Sequence, residues 1–567
     1  MNIVLIHSEN IYQDLKELFN PECILTFEYS DNIYDIDYEL TNFLKIKILP
    51  KNPTSIFIQT SLSANSLEFI GIRLACHIRL SSIKDISNIP IILIGEESFE
   101  DLFKHYENPE LFATKGLYLS TPGSCKIKKY LEKIKNGSLA GCPSIEELAK
   151  RVNISPPANY QSHHSITNEW SILRWAKALD INNDVSPLQK IKENIEVKLF
   201  YKHLLAKYPD IAEPEKIPTI FQNKGKVLLI DDEWNKGWKT IFEKIFSNNA
   251  SEGIEFITFK ELFQSKKQEE IIDLIVASVE KEDPDVIILD LRLADSDFFD
   301  SNQPFDLTGY KVLRKIKEIN PGYQIIIFSA SNKVRNLLKL QTEGVDGFIL
   351  KESPELSISK DYAKDSIGAL INNINCCLNK AYLKRIHTLS KSIKENIQKN
   401  SINEKYSDST TPVQMYQKLI CNHIDIIFNI LSSNNENKFN LTIIMMVMIL
   451  ECINSIILRE DGKIGNKEIT FGDGEKIEYY DYRSKKFRPP KGQEDISSTT
   501  NKIRNVIRKF IGKENYYDLV YNLIVRRNKI IHPQKTSSNK SHLREEIQSS
   551  DIVDWLQLIE RVIAKIA

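Results

Sequence analysis

The sequence predicts an α/β plus all-α chain: two α/β units joined by helices, then a helical C-terminal region. Three observations carry this. Short apolar, β-rich runs alternate with amphipathic stretches before residue 136 and again after Lys224, the signature of parallel sheets in a layered fold. Residues 136–222 contain no strand-like run, and after Asp361 the period is mostly helical to Ala567, interrupted by an insertion at about 461–493. A length of 567 residues, 42% hydrophobic and 27% charged, fits a globular protein of three or four domains and argues against global disorder.

Residues 1–135 form the first α/β unit, with strand runs NIVLIHS, SIFIQTSL, IPIILIG and GLYLS. The connector, 136–222, holds two helical stretches, SIEELAKRVNIS and LQKIKENIEVKLFYKHLLAKY, with prolines such as Pro143, Pro156 and Pro209 marking their ends. SIEELAKRVNIS is like the first half of a helix-turn-helix, but Pro156 and Pro157 stand where a recognition helix would begin. DNA binding by residues 144–180 is therefore the third-ranked alternative. The second α/β unit, 223–378, has the runs KVLLID, FITFK, DVIILDL, QIIIFSA and DGFILK. One long helix is expected from 362 to 398, close to a straight helical period. The C-terminal region, 379–567, follows.

Net charge is −1 overall, but residues 380–567 hold 31 Lys+Arg against 22 Asp+Glu, so any nucleic-acid contact is expected at that end. The eight cysteines show no C-x-x-C, which reads as reduced thiols in a cytoplasmic protein. The N-terminus lacks a basic leader, and LTIIMMVMIL is too short to span a bilayer, so no membrane partner is expected.

The strongest chemical signal lies at the strand ends of the second unit. Asp231 and Asp232 follow its first strand, Asp290 its third, Ser329 its fourth and Lys351 its fifth. In a parallel sheet these ends share one edge, where ligands bind. Crowded carboxylates require a cation, and hard oxygen ligands suit Mg²⁺. An Asp can attack a phosphoryl group, and a Lys and a hydroxyl can steady its oxygens. A lone strand-end Asp would be read as a cap; five suitable residues at strand ends are not.

KVLLIDDE, DVIILDLRL, IIIFSAS and GFILKES resemble the strand-end motifs of receiver domains in two-component response regulators, over residues 224 to about 375. The resemblance implies a flavodoxin-like sheet with Asp290 as phosphoacceptor. It implies Mg²⁺ held by Asp231, Asp232, Asp290 and the Arg292 carbonyl, with Ser329, Phe348 and Lys351 as switch residues. A sensor histidine kinase or phosphotransfer protein would be the donor. Two departures stand out: Glu352 where receivers often have Pro, and a long acidic stretch, ADSDFFDSNQPFDLTGY, after Asp290. The first unit is receiver-like but degenerate, with His7, Ser8 and Glu9 after its first strand and Gln59 in the acceptor position.

Near the C-terminus, DLVYNLIVRRNKIIHPQK reads as a basic helix ended by Pro533. Asn528 and His532 share a face, while Arg527 and His532 are about 140° apart around the axis. Two copies across a two-fold would bring Arg and His into one cleft. There a His moving protons and an Arg steadying phosphorane oxygens would cleave RNA through its own 2′-hydroxyl. RNKIIHP resembles the R-N-x-x-x-H motif of HEPN domains, over about residues 405–567. That resemblance implies a homodimeric endoribonuclease needing no metal or cofactor, with Arg527, Asn528 and His532 in its site and RNA as substrate. It also implies a place in phage defence or stress response. Some HEPN domains only bind, so a receiver-gated, non-catalytic interaction module is the main alternative. KIEYYDYRSKKFRPPK mixes aromatics with basic residues, as single-stranded RNA binding would use, but reads more readily as a solvated β-hairpin.

Overall fold

The structure is a computed structural model. It describes the chain except residues 1, 9–12, 30–34, 64, 82, 107–110, 113, 143, 157–162, 182–185, 209–220, 222, 248–252, 262, 299–302, 331–343, 400–411, 462–467, 482, 492–493, 513–514 and 532–545. The first sheet is parallel in the order β2-β1-β3-β4-β5, built from β1 (Ile3–His7), β2 (Ile24–Thr26), β3 (Ser55–Gln59), β4 (Ile91–Ile94) and β5 (Leu117–Ser120). Its helices are α1 (Ile36–Phe43), α2 (Ile70–Arg79), α3 (Phe99–His105) and α4 (Ser124–Lys135). The strands bury both faces, Val4, Ile56 and Ile91 on one side and Leu5, Phe57 and Ile92 on the other.

The connector contains α5 (Ile145–Arg151), α6 (His163–Ala178), α7 (Ser186–Val197) and α8 (Leu199–Lys207). Ser144 starts α5 by accepting from Glu147 N (3.2 Å). The single helix expected over the second stretch breaks at Lys198, whose backbone is extended. The break is stabilised from outside: Leu199 N donates to Asp37 Oδ2 (3.1 Å), and Lys198 Nζ lies 2.5 Å from Asp35. Asp37 also accepts from Arg73 Nε (2.7 Å) and His77 Nε2 (2.9 Å), while Lys202 Nζ donates to His77 Nδ1 (3.0 Å). α8 is thereby fastened to the first unit.

That cluster sets an acid limit. Burial holds the fully buried His77 down to about 4, with the Asp37 hydrogen bond pulling the other way. The unfolded chain then binds the extra proton. Stability is expected to fall as pH drops from about 6.5 to 4, by up to about 3 kcal/mol. Denaturant titrations of wild type and His77→Gln should show this, with a flatter profile in the variant; identical profiles would contradict it.

The second sheet is also parallel, in the order β10-β9-β8-β6-β7. It comprises β6 (Gly225–Ile230), β7 (Ile254–Thr258), β8 (Val286–Leu289), β9 (Gln324–Ser329) and β10 (Gly347–Leu350). Numbered within the unit this is 2-1-3-4-5, the flavodoxin-like order. α10 (Gln268–Glu282) and α11 (Thr308–Ile319) cover one face; α9 (Trp238–Ser247) and α12 (Tyr362–Lys380) cover the other, joined there by α6 and α7.

The expected continuous helix over 362–398 is two helices, α12 and α13 (Tyr382–Lys399), meeting at Ala381. Ala381 keeps helical dihedrals (φ −58°, ψ −26°), so the apolar period runs through the break. The cores divide there: Leu378 packs with the second sheet and Leu383 with the C-terminal bundle. The bundle adds α14 (Val413–Ser432), α15 (Lys438–Ile457), α16 (Thr499–Phe510), α17 (Asn515–Ile531) and α18 (Ser549–Ile566). It also carries two β-ribbons, β11 (Leu458–Asp461) with β12 (Glu468–Phe471), and β13 (Tyr479–Asp481) with β14 (Lys486–Arg488). α15 extends beyond the apolar run seen in the sequence and is long and apolar enough to cross a membrane, with mean hydropathy 1.9. Here it is a core helix, 61% buried, packed on α14, α17 and α18.

Candidate functional site

The parallel register of β6, β8, β9 and β10 carries their C-terminal residues to one edge. Lys351 Nζ lies there 2.8 Å from Asp231 Oδ2 and 2.6 Å from Asp290 Oδ2, with all three side chains 0% exposed. The other Asp290 oxygen accepts from Leu291 N (2.6 Å) and Arg292 N (3.3 Å), and Asp231 Oδ1 accepts from Glu233 N (2.8 Å). Asp232 completes the group: carboxylate oxygens of Asp231, Asp232 and Asp290 lie within 4.8 Å of one another. The Lys351 ammonium also faces the Phe328 and Trp238 rings, at 5.1 and 5.3 Å.

Three carboxylates against one ammonium leave the pocket with excess negative charge. Burial pushes the Asp231 carboxyl up to about 6, against the pull of Lys351 and with the help of Asp290. Asp232 is raised well above its usual range by burial and by the neighbouring Asp231, Asp290 and Glu233. Burial works against the charge of Lys351, but Asp231 and Asp290 outweigh it and raise its pKa. Asp232 Oδ1 is buried with no partner among the described residues. An orphaned hard oxygen beside two further carboxylates fits a small divalent cation such as Mg²⁺.

The remaining predicted residues take these places. Ser329 is buried at the end of β9, and its carbonyl accepts from Lys351 N (2.9 Å). Phe348 lies half-buried on β10 beside Ile327 of β9, against the core of α10 and α11. Arg292 is half-buried, its guanidinium 5.8 Å from the Phe298 ring.

The acidic stretch after Asp290 holds two residues that sequence reading missed. Asp297 is fully buried, accepting from Leu293 N, Ala294 N, Thr308 N, Thr308 Oγ1 and Gln268 Nε2 at 2.8–3.2 Å. It folds the stretch back onto the start of α11. Gly309 closes that approach: a Cβ there would fall 2.1 Å from the Asp290 carbonyl oxygen.

The corresponding edge of the first sheet has no Asp–Lys cluster among the described residues; its carboxylate Glu97 accepts from Thr60 Oγ1 (2.9 Å). Ser8 N and Oγ both donate to Gln59 Oε1 (3.1 and 3.3 Å), and His7 Nε2 lies 3.3 Å from Thr26 Oγ1. β5 ends in Ser120 rather than a Lys.

In the bundle, Arg527 and Asn528 lie near the C-terminal end of α17, and Arg527 donates to Asn528 Oδ1 (3.1 Å). Glu451 of α15 faces the same guanidinium at 3.8 Å, a neighbour no local motif would reveal. His532 lies outside the described residues. The basic-aromatic segment forms the expected β-hairpin, with Tyr480 and Phe487 packed against the bundle instead of open for stacking. Tyr480 is buried and packs on Phe487 (5.0 Å) and Tyr517 (5.5 Å); Arg504 and Arg508 cover Tyr480 and Phe487 at 4.3 and 4.7 Å.

Residues 12–120 match the family of inactive receiver domains, and residues 266–361 match the response regulator receiver domain family. Among solved structures, the chain is similar to a two-component response regulator of the LuxR family from Aurantimonas sp. SI85-9A1. That match has 18% identity and a TM-score of 0.18 and covers 26% of this chain and 86% of that one. It is also similar to NtrX from Brucella abortus in complex with ADP, at 19% identity and a TM-score of 0.17, covering 30% of this chain and 35% of NtrX. No curated protein matches.

Proposed function

We propose that this chain, which carries an inactive-type receiver domain ahead of a response regulator receiver domain, is a phosphorelay regulator whose Asp290 controls a C-terminal HEPN-like endoribonuclease. The observation that carries the proposal is the meeting of buried Asp231, Asp290 and Lys351 with half-buried Asp232, whose Oδ1 has no partner among the described residues.

A receiver implies a histidine kinase or phosphotransfer protein as partner. In the proposed reaction an Asp290 oxygen attacks the donor's phosphorus, the donor's bond to phosphorus breaks, and an acyl phosphate forms. Asp231, Asp232, Asp290 and the Arg292 carbonyl would hold Mg²⁺, which supplies charge neutralisation for the transferring group. Lys351, already 2.6 Å from Asp290, follows the charge onto the phosphoryl oxygens. Ser329 then donates to the phosphoryl group and Phe348 swings inward, changing the receiver face. α12 carries that change to α13 and the bundle, where Arg527, Asn528 and His532 of two copies form the RNA-cleaving cleft.

RNA digestion with and without acetyl phosphate and Mg²⁺ tests this. RNA but not its 2′-deoxy analogue should be cut, and His532→Ala should slow cleavage by about 10²–10⁴-fold. Intact RNA with both wild type and Asp290→Glu, each dimeric, would select the second reading, a receiver-gated interaction module. Glu451 beside Arg527 favours that reading, because it occupies a guanidinium that a phosphate would need. Duplex-DNA recognition by residues 144–180 is disfavoured: α5 packs Leu148 into the first core, and α6 is buried in the second.

A further inference from the structure

Helix α6 is buried along most of its length although about half of its residues are polar, with Ile166, Trp170, Leu173 and Trp175 in the second sheet's core. Its polar residues are spent on the loops that frame the acid pocket. Asn168 donates to Glu233, the neighbour of Asp232, and accepts from Trp238 Nε1 (3.3 Å). Further along, Arg174 Nε donates to Glu352 Oε1 (2.8 Å), and Glu352 N donates to Ser171 Oγ (2.9 Å). Glu352 directly follows Lys351. Ser357 ties the same loop down, accepting from Trp170 Nε1 (2.7 Å) and donating to Glu352 (2.6 Å). Trp175 packs at 5.6 Å against Phe328, the residue before Ser329. Two strand-end loops and the end of β9 thus have a residue next to their pocket member held by one helix.

The same connector is fixed at its other end. α8 meets the first domain through Leu199 N on Asp37 and through Lys202 on Thr41 Oγ1 (2.9 Å) and His77. We propose that α6 positions the pocket loops for phosphoryl transfer and, through α7 and α8, relays pocket occupancy to the inactive-type receiver domain. Asn168, Ser171 and Arg174 are positioning residues in this role, acting through Glu233 and Glu352. The proposal rests on Asp290 being the phosphoacceptor, and it gives the first domain a signal to receive from inside its own chain.

Hydrogen exchange of the full chain, with and without Mg²⁺ and beryllofluoride as phosphoryl mimic, tests it. In wild type, several-fold changes in exchange should appear at the pocket loops, in α6 and in α8. The paired variant Arg174→Met/Glu352→Met removes the ion pair without stranding a buried charge. It should weaken the pocket response and abolish the response in α8. A purely structural role would instead lower the resting protection and leave the ligand-dependent difference intact. Should the paired variant misfold, Asn168→Ser with the wild-type comparison serves the same end. Pocket loops that respond while α6 and α8 stay unchanged in wild type overturn the relay alone. Pocket loops that do not respond overturn the phosphoacceptor reading, and the relay with it.

Discussion

Lys351→Met is expected to cost about 3–5 kcal/mol of the second domain's stability in the absence of divalent cations, the usual penalty for breaking a buried ion pair by removing one partner. Lys351 is the ammonium bonded to Asp231 and Asp290, and all three are sealed from solvent. Without it, the two carboxylates must stay charged in a poor dielectric or take up protons. The sign with pH follows. Burial and neighbouring acids already raise Asp231 to about 6, and losing Lys351 raises it further. At pH 5 Asp231 is protonated in the folded variant, and the cost of the substitution shrinks; at pH 7.5 it is largest. Urea unfolding followed by tryptophan fluorescence measures this, since Trp238 lies 5.3 Å from the amine. A cost below about 1 kcal/mol at pH 7.5 would show that the amine is not the acids' counter-charge.

Asp232→Asn is expected to act in the opposite direction. Asp232 is half-buried beside two other carboxylates, with its buried Oδ1 unpartnered among the described residues, so without a cation it strains the folded state. Replacing it with a neutral isostere should stabilise the cation-free domain by about 1–3 kcal/mol, the range for an uncompensated buried polar group. The variant should also lose the response to Mg²⁺. Wild type should gain thermal stability on Mg²⁺ addition as binding favours the folded state, and this gain should be absent from Asp232→Asn. Calorimetry with and without Mg²⁺ reads both effects. A variant that is less stable without cation yet still responds to Mg²⁺ would mean that Asp232 is a structural acid.

The pocket was legible in the sequence because a parallel sheet converts strand ends into neighbours. Asp231, Asp290, Ser329 and Lys351 are distant in the chain, yet each follows or ends an apolar run whose direction is fixed. Asp297 was not legible. In sequence it is one acid among several, and its donors at 293, 294, 268 and 308 gather only once the loop has folded. The role of α6 was hidden for a related reason. Asn168, Ser171 and Arg174 form no local motif, because their partners lie 65 to 181 residues away. β2 is three residues long, too short for alternation to mark it. The break at Ala381 keeps helical geometry, and the one at Lys198 is set by the remote Asp35 and Asp37, so neither disturbs the local period.

The central claim is that Asp290 accepts a phosphoryl group in this pocket. Its most direct measurement is the intact mass of the full chain after incubation with acetyl phosphate and Mg²⁺, with peptide mapping of the product. The account predicts one added phosphoryl group, located on Asp290, dependent on Mg²⁺ and absent from Asp290→Asn. An unchanged wild-type mass, or equal phosphorylation of Asp290→Asn, would contradict it.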